Sequence, residues 1–325
     1  MTRRHARGTT WFVIAIGGLG LIAAPAPAPW AVLPGLLLAL VPTLHAWKDA
    51  EGTALRASVV WAGIALGFGI ATECAALLEP ISTGRPSAGH LAYLCCLATL
   101  AGLISVLNAR TPGGGAWAIL MALLVVVFLI PWLEGSGLGR GANSLARLRL
   151  DNPWTIFFAL LVFAGVTNYL PTRFGPAAAA LAVGFLLEYL ALTRIVASRV
   201  GLATVWTAFP WTLAVAGALV GDGAEKARIP ARGLDTLWFW FRDRWGVVWG
   251  LRVMERFNRS AASLDWPVRL GWHGTEDATG KVIPGDSPAS AEASAVLSSL
   301  LRRFATAERR ARASGTAEFP PLPRS

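Results

Sequence analysis

Between residues 10 and 220 the chain is a succession of apolar runs, broken only by short stretches that hold the turn formers and most of the charges. They cover 10–27, 30–47, 55–78, 90–107, 116–133, 154–170, 176–193 and 202–220. A helix advances about 1.5 Å per residue, so runs of this length match a hydrocarbon core of roughly 30 Å. In such a core each backbone N–H and C=O must be satisfied within the chain, and an isolated run can do so only as a helix. The pattern therefore predicts an all-α fold: a polytopic transmembrane bundle of about eight spans. Trp11, Trp30, Trp47, Trp117, Trp132 and Trp154 lie at or near run ends, where an indole buries its ring and bonds at the headgroups.

Composition agrees, with 54% hydrophobic against 15% charged residues and a mean hydropathy of +0.53, too apolar for an ordinary soluble domain. The formal net charge of +10 is carried by flanks of apolar runs, as loops obeying the positive-inside rule require, and so is not read as a nucleic-acid footprint. Nearly all of it is Arg, with Lys only at Lys48, Lys226 and Lys281, which points to a GC-rich and hence bacterial source. The first run has the outline of a signal peptide, but Pro follows each candidate cleavage site, and it is read as a retained span.

Arg3, Arg4 and Arg7 place the N-terminus in the cytoplasm, and an even number of spans returns the tail to that side of an inner membrane. Arg140, Arg147, Arg149, Arg194 and Arg199 fall in loops on the opposite side and oppose this orientation. Two regions follow: a transmembrane domain over 1–220 and a cytoplasmic tail over 221–325.

The tail begins with a Trp/Arg-rich stretch, LWFWFRDRWGVVWGLRVMERFN, too densely charged to be a span. On a helix over 234–260, Trp238, Phe241, Trp245 and Trp249 share a face with Arg242, Arg252 and Arg256. That stripe suits an interfacial anchor, with indoles at the headgroups and guanidiniums on phosphates; a partner-docking helix and a substrate-lipid site are the other readings. The Gly-rich WHGTEDATGK suggests a small hairpin. A second amphipathic helix is expected over 288–313, with Val296, Leu297, Leu300, Leu301 and Phe304 on one face and Gly315 as terminator.

A search for chemistry finds no phosphate loop, no HExxH, no CxxC and no G-x-S-x-G, and GSGLGRGA at 135–142 reads as a loop. Cys74, Cys95 and Cys96 all sit in apolar runs, without disulfide or metal spacing. No cofactor or metal is implied. What remains are ionisable groups within spans, costly there and hence candidates for a site. Glu73 shares a helix face with Ala65, Gly69 and Ala76, and Glu188 with Ala177, Ala180 and Gly184; small residues of this kind mark helix contacts. With His90 the two glutamates form a candidate intramembrane polar site for proton relay or cation binding, or else a set of structural caps. His45, Asn108, Asn168, Tyr169 and Arg173, at span ends, are accounted for by interfacial hydrogen bonding.

The leading functional expectation is a non-catalytic membrane scaffold or assembly partner acting through its tail. The alternative is a small-solute or proton-coupled transporter using the intramembrane glutamates. The expected partners are the lipid bilayer and a protein docked on the tail.

Overall fold

The structure, a computed structural model, describes residues 29–78, 86–107, 115–135, 152–192, 234–277 and 289–315. Within them the chain is mostly helical. Six apolar helices come first: α1 (Pro29–Ala50), α2 (Arg56–Leu78), α3 (Pro86–Leu107), α4 (Gly115–Gly135), α5 (Asn152–Thr167) and α6 (Gly175–Leu192). They coincide with six of the expected apolar runs; the runs at 10–27 and 202–220 lie outside the described residues. Among the described residues, Arg56–Leu78 and Ala88–Leu107 are long and apolar enough to cross a membrane, while Ala122–Leu133, Pro153–Thr167 and Gly175–Leu186 are shorter apolar stretches. An eight-span bundle is thus not established by these helices alone.

The helices pack as successive antiparallel hairpins. Gly102 lies against the backbone of Ser58, the Ser58 and Ser105 hydroxyls are 2.6 Å apart, and Cys95 donates to the carbonyl of Ala65 at 3.1 Å. Small residues at these crossings let the α2 and α3 backbones approach. A second core joins Tyr93 and Leu100 of α3 to Phe128 of α4, Phe158 of α5 and Phe185 of α6, with the Tyr93 hydroxyl donating to the carbonyl of Phe128 at 2.6 Å. One end of this bundle carries the α1–α2 turn, the C-terminus of α3 and the α5–α6 turn; below it is called the near end.

The tail occupies that near end. It consists of α7 (Leu234–Ser263), a hairpin of β1 (Val268–Gly271) and β2 (Gly274–Asp277), α8 (Ala289–Leu300), a 3-10 turn (Leu301–Arg303) and α9 (Ala307–Ser314). The hairpin expected from the Gly-rich stretch is present, closed by Trp272 and His273 between the paired Gly271 and Gly274. It is tied to α7 at two points. Asn258 donates to the carbonyl of Leu270 and accepts from its N–H, acting as a strand partner for β1, and Asp235 accepts from both the N–H and the hydroxyl of Thr275.

Two expectations for the tail are corrected. The amphipathic segment over 288–313 is not one helix: it breaks after the 3-10 turn, where Thr53 and Ala305 form an isolated antiparallel bridge. There Ala54 donates to the carbonyl of Phe304 at 2.8 Å and Thr306 to that of Gly52 at 2.9 Å. Pairing with a distant loop satisfies peptide groups that a continuous helix would have satisfied internally, and periodicity carries no trace of it. The second correction concerns α7, which has an interruption at Gly246, with φ +75° and ψ −167°. That conformation strongly favours glycine.

A Cβ at Gly246 would lie 2.3 Å from Nδ2 of Asn168, closer than any real contact. Gly246→Ala should therefore cost about 2 kcal/mol or more, from backbone strain and collision together. Gly67→Ala, whose Cβ would meet nothing within 4 Å, should be neutral or stabilising. Thermal unfolding of the two variants in detergent checks this, and equal losses would contradict it.

Candidate functional site

The most organised polar structure among the described residues is the junction between the bundle's near end and the tail. Asn168 and Tyr169 follow α5 and enter the break in α7. The N–H of Val247 donates to the carbonyl of Asn168 at 2.9 Å, that of Val248 to its Oδ1 at 3.0 Å, and Nδ2 of Asn168 donates to the carbonyl of Trp245 at 3.2 Å. The hydroxyl of Tyr169 donates to the carbonyl of Arg244 at 2.9 Å, and its burial pushes the phenol pKa up. The break frees backbone groups of α7, and the α5–α6 turn satisfies them.

Two indoles extend the seam. Nε1 of Trp249 donates to the carbonyls of Leu107, at 3.0 Å, and Val106, at 3.3 Å. It thus caps the end of α3, whose last carbonyls have no partner within the helix. Nε1 of Trp272 donates to the carbonyl of Pro171 at 3.2 Å. On the other side of the seam, Arg309 of α9 donates to the carbonyls of Lys48, in the last turn of α1, and Glu51, in the α1–α2 turn.

Charge gathers at the same place. Asp243 is buried and holds two guanidiniums: Arg242 donates to its Oδ1 through Nε and Nη2, at 2.9 and 2.7 Å, and Nε of Arg173 lies 3.2 Å from its Oδ2. Arg242 also donates to the carbonyl of Trp272 at 2.6 Å and stacks over Phe239. Arg244 reaches Asp49 only at 4.0 Å. Burial, together with the neighbouring charge of Arg173, lowers the Arg244 guanidinium to about 10, and it stays protonated at neutral pH. Burial also lowers Arg173, against the attraction of Asp243.

The residues expected to anchor the tail in lipid are placed differently. Trp238 and Trp245 are fully buried and Trp249 nearly so, packed with Phe241, Phe257, Leu297, Leu301 and Phe304 in a core of protein side chains. Phe304 meets the rings of Phe241, Trp245 and Trp249 edge-on. The Nε1 atoms of Trp238 and Trp245 are buried without a hydrogen-bond partner, the opposite of indoles wetted at headgroups. Arg242 is drawn into the junction, whereas Arg252 and Arg256 are exposed on α7. The anchor reading of the aromatic face is thereby corrected: an i, i+3, i+4, i+7 stripe fits a protein core as well as an interface, and here α8 and the turn after it cover it.

The expected intramembrane residues fall at the bundle's other end. Glu73 is 1% exposed, on the buried face of α2 with Ala65, Gly69, Thr72 and Ala76. His90, in the first turns of α3, has a buried Nε2 without a hydrogen-bond partner and meets Trp132 edge-on, ring centres 6.2 Å apart. The α2–α3 register puts Glu73 level with these turns. Glu188 lies toward the end of α6, also away from the tail, and its side chain is outside the described residues. Of the cysteines, Cys74 is exposed and Cys95 and Cys96 are buried, none in a disulfide. Among the described residues no three His, Cys, Asp or Glu side chains are placed to share a metal ion.

The junction residues Asp243, Arg244, Gly246 and Gly52 carry no signal in a single sequence beyond the oddity of a glycine amid a helical stripe. Comparison of the chain with protein-family models, with curated proteins and with solved structures gives no match.

Removing the buried carboxylate with Asp243→Asn should cost about 3–5 kcal/mol, since it leaves Arg173 and Arg242 without their anion. Asp49→Asn, which removes an exposed carboxylate 4.0 Å from Arg244, should cost less than about 1 kcal/mol. Unfolding midpoints measured side by side test the contrast, and a mild Asp243→Asn would contradict it.

Proposed function

We propose that the chain is a multi-pass membrane protein of about eight spans whose tail forms a folded cap on one end of the bundle, and that it acts as a scaffold presenting this cap to another protein. The observation that carries the reading is the distribution of exposed apolar surface. Leu44 on α1, Ile119 and Leu123 on α4, Leu160 and Phe163 on α5 and Val183 on α6 all stand exposed, whereas among the described residues of the tail the large exposed hydrophobics are Val248, Leu251 and Leu264. Exposed apolar surface of this extent marks a membrane- or partner-facing region, and the reading takes it as lipid-facing.

The hairpin order supports an even number of spans. α6 runs from the near end to the far end and α7 starts at the near end, an order that one further expected crossing between them would fit. The expected span at 202–220 would make that crossing, and the one at 10–27 would put the N-terminus on the side of the cap. That side is the cytoplasm of a bacterial inner membrane if the basic N-terminus sets the orientation. The cap's outer face carries exposed Arg252, Arg256, Arg302 and Arg303, which suit an acidic partner.

A transporter is the second reading, favoured by the burial of Glu73 among small residues. Glu73→Gln should then abolish proton-coupled uptake in reconstituted vesicles without loss of folded protein, and unchanged uptake would discard the reading.

Topology is tested by labelling single-cysteine variants at Glu51, Gly139, Ser198 and Ser260 in intact cells, with the three native cysteines replaced. Gly139 and Ser198 should react from outside, and Glu51 and Ser260 only after permeabilisation. Ser198 and Ser260 reacting from the same side would contradict the eight-span arrangement. For scaffolding, Arg256→Glu with Arg303→Glu should release a protein that co-purifies from native membranes; an unchanged set of co-purifying proteins would overturn it.

A further inference from the structure

Helix α2 opens on an exposed cation. The guanidinium of Arg56, its first residue, lies over the ring of Trp47 in the last turn of α1, 5.7 Å from the ring centre, and both residues are exposed. Among the described residues no carboxylate answers it: α2 has no acidic residue in its first turn, and the neighbouring Asp49 lies 4.0 Å from Arg244 instead. A cation at the start of a helix sits at the positive end of the helix dipole, a place that favours an anion. Trp47 and Arg56 stand at the near end of the bundle, and Leu44, about one turn along α1, begins the exposed apolar surface beside them. If that surface faces lipid, an indole carrying a guanidinium at its border stands at the level of the headgroup phosphates.

The face of α2 that runs on from Arg56 is bare. In helical projection Gly63, Gly67 and Cys74 all fall within about 20° of Arg56. A Cβ at Gly63 or at Gly67 would meet nothing within 4 Å, and Cys74 is exposed. Gly69, turned toward the neighbouring helices, differs: a Cβ there would touch Leu36 and Cys95. Two absent side chains one turn apart leave a shallow channel along an otherwise apolar helix, beginning roughly 10 Å from Arg56. Exposed Ile64 borders it.

Glycines four residues apart also let two helices approach. A second copy inserted in the same membrane with the same orientation would pair there in parallel, however, and would bring Arg56 against its own counterpart. A phospholipid brings the opposite charge to that place, and its acyl chain fits the bare face. We infer that Arg56, Trp47 and the glycine face of α2 form a binding site for one anionic phospholipid, its phosphate on Arg56 and an acyl chain along Gly63 and Gly67. The site rests on the reading of the bundle as membrane-embedded, and adds to it a preferred lipid.

Membranes holding the full-length protein are first washed with alkaline carbonate. Release by the wash would contradict the membrane reading, and the lipid site would fall with it. Protein that stays is extracted in a neutral detergent, and native mass spectrometry compares its retention of phosphatidylglycerol and phosphatidylcholine. The wild type should retain phosphatidylglycerol in preference. Arg56→Gln should weaken that retention roughly tenfold, as the loss of charge-assisted hydrogen bonds implies. Gly67→Leu, whose Cβ has open space around it, should fold like the wild type and also retain less phosphatidylglycerol. Arg259→Gln, at an exposed pair with Glu255 on α7, should behave as the wild type does. Equal retention of the two lipids by a protein that withstood the wash overturns the lipid site alone, as does a preference that survives Arg56→Gln. A dimer that Gly67→Leu dissociates would assign the face to a second copy and overturn it too.

Discussion

The architecture depends on one insertion: Asn168, at the turn between α5 and α6, enters a break in the longest helix of the tail. At Gly246 the chain leaves helical geometry, which strands backbone donors and acceptors on either side. Asn168 takes the N–H groups of Val247 and Val248 and gives its own amide to the carbonyl of Trp245. Each partner is a backbone group or a short, stiff side chain, so the fit is specified to fractions of an ångström. A bundle and a tail that could have been joined by a flexible tether are instead joined by peptide hydrogen bonds at two separate places. The second is the short bridge between the α1–α2 turn and the segment before α9.

Gly52 supports that second place as Gly246 supports the first. Its φ is +70°, and a Cβ there would come within 2.8 Å of the Thr306 hydroxyl oxygen. Between the two glycines the aromatic stripe of α7 turns inward, onto Phe304 and the apolar face of α8, and Trp249 reaches past them to close the end of α3. Hydrophobic burial supplies the bulk of the cap's stability, while the hydrogen bonds at the seam decide its position on the bundle. The arginines are the cost of this arrangement. Bringing the α5–α6 turn against α7 sets Arg173 beside Arg242 and Arg244, and a single buried aspartate cannot neutralise all three.

The six helices of the bundle were legible because the signal is local and long: an apolar run of about 20 residues declares its helix whatever packs against it. The β-hairpin was legible from its glycines. The face of α7 was misread for a reason that no window along the chain can remove. Trp238, Trp245 and Trp249 make the same stripe whether lipid, a partner or the chain's own α8 covers it, and only tertiary structure selects among these. Asn168, Tyr169 and Arg173 were visible as polar groups at a span end, but a hydrogen bond to a residue some 75 positions away leaves no local trace. Asp243 and Gly246 lay hidden inside a stretch whose aromatic residues dominate any reading of it.

Hydrogen exchange at single-amide resolution tests the union of cap and bundle most directly. The amides of Val247, Val248 and Thr306 donate across the seam, to Asn168 and Gly52. If the cap is clamped to the bundle, all three are protected to the same degree as the helical amides around Phe257, within the cap's core. Exchange of these three at the rate of an unstructured peptide, with the amides around Phe257 still protected, would show a tail that folds alone and is merely tethered.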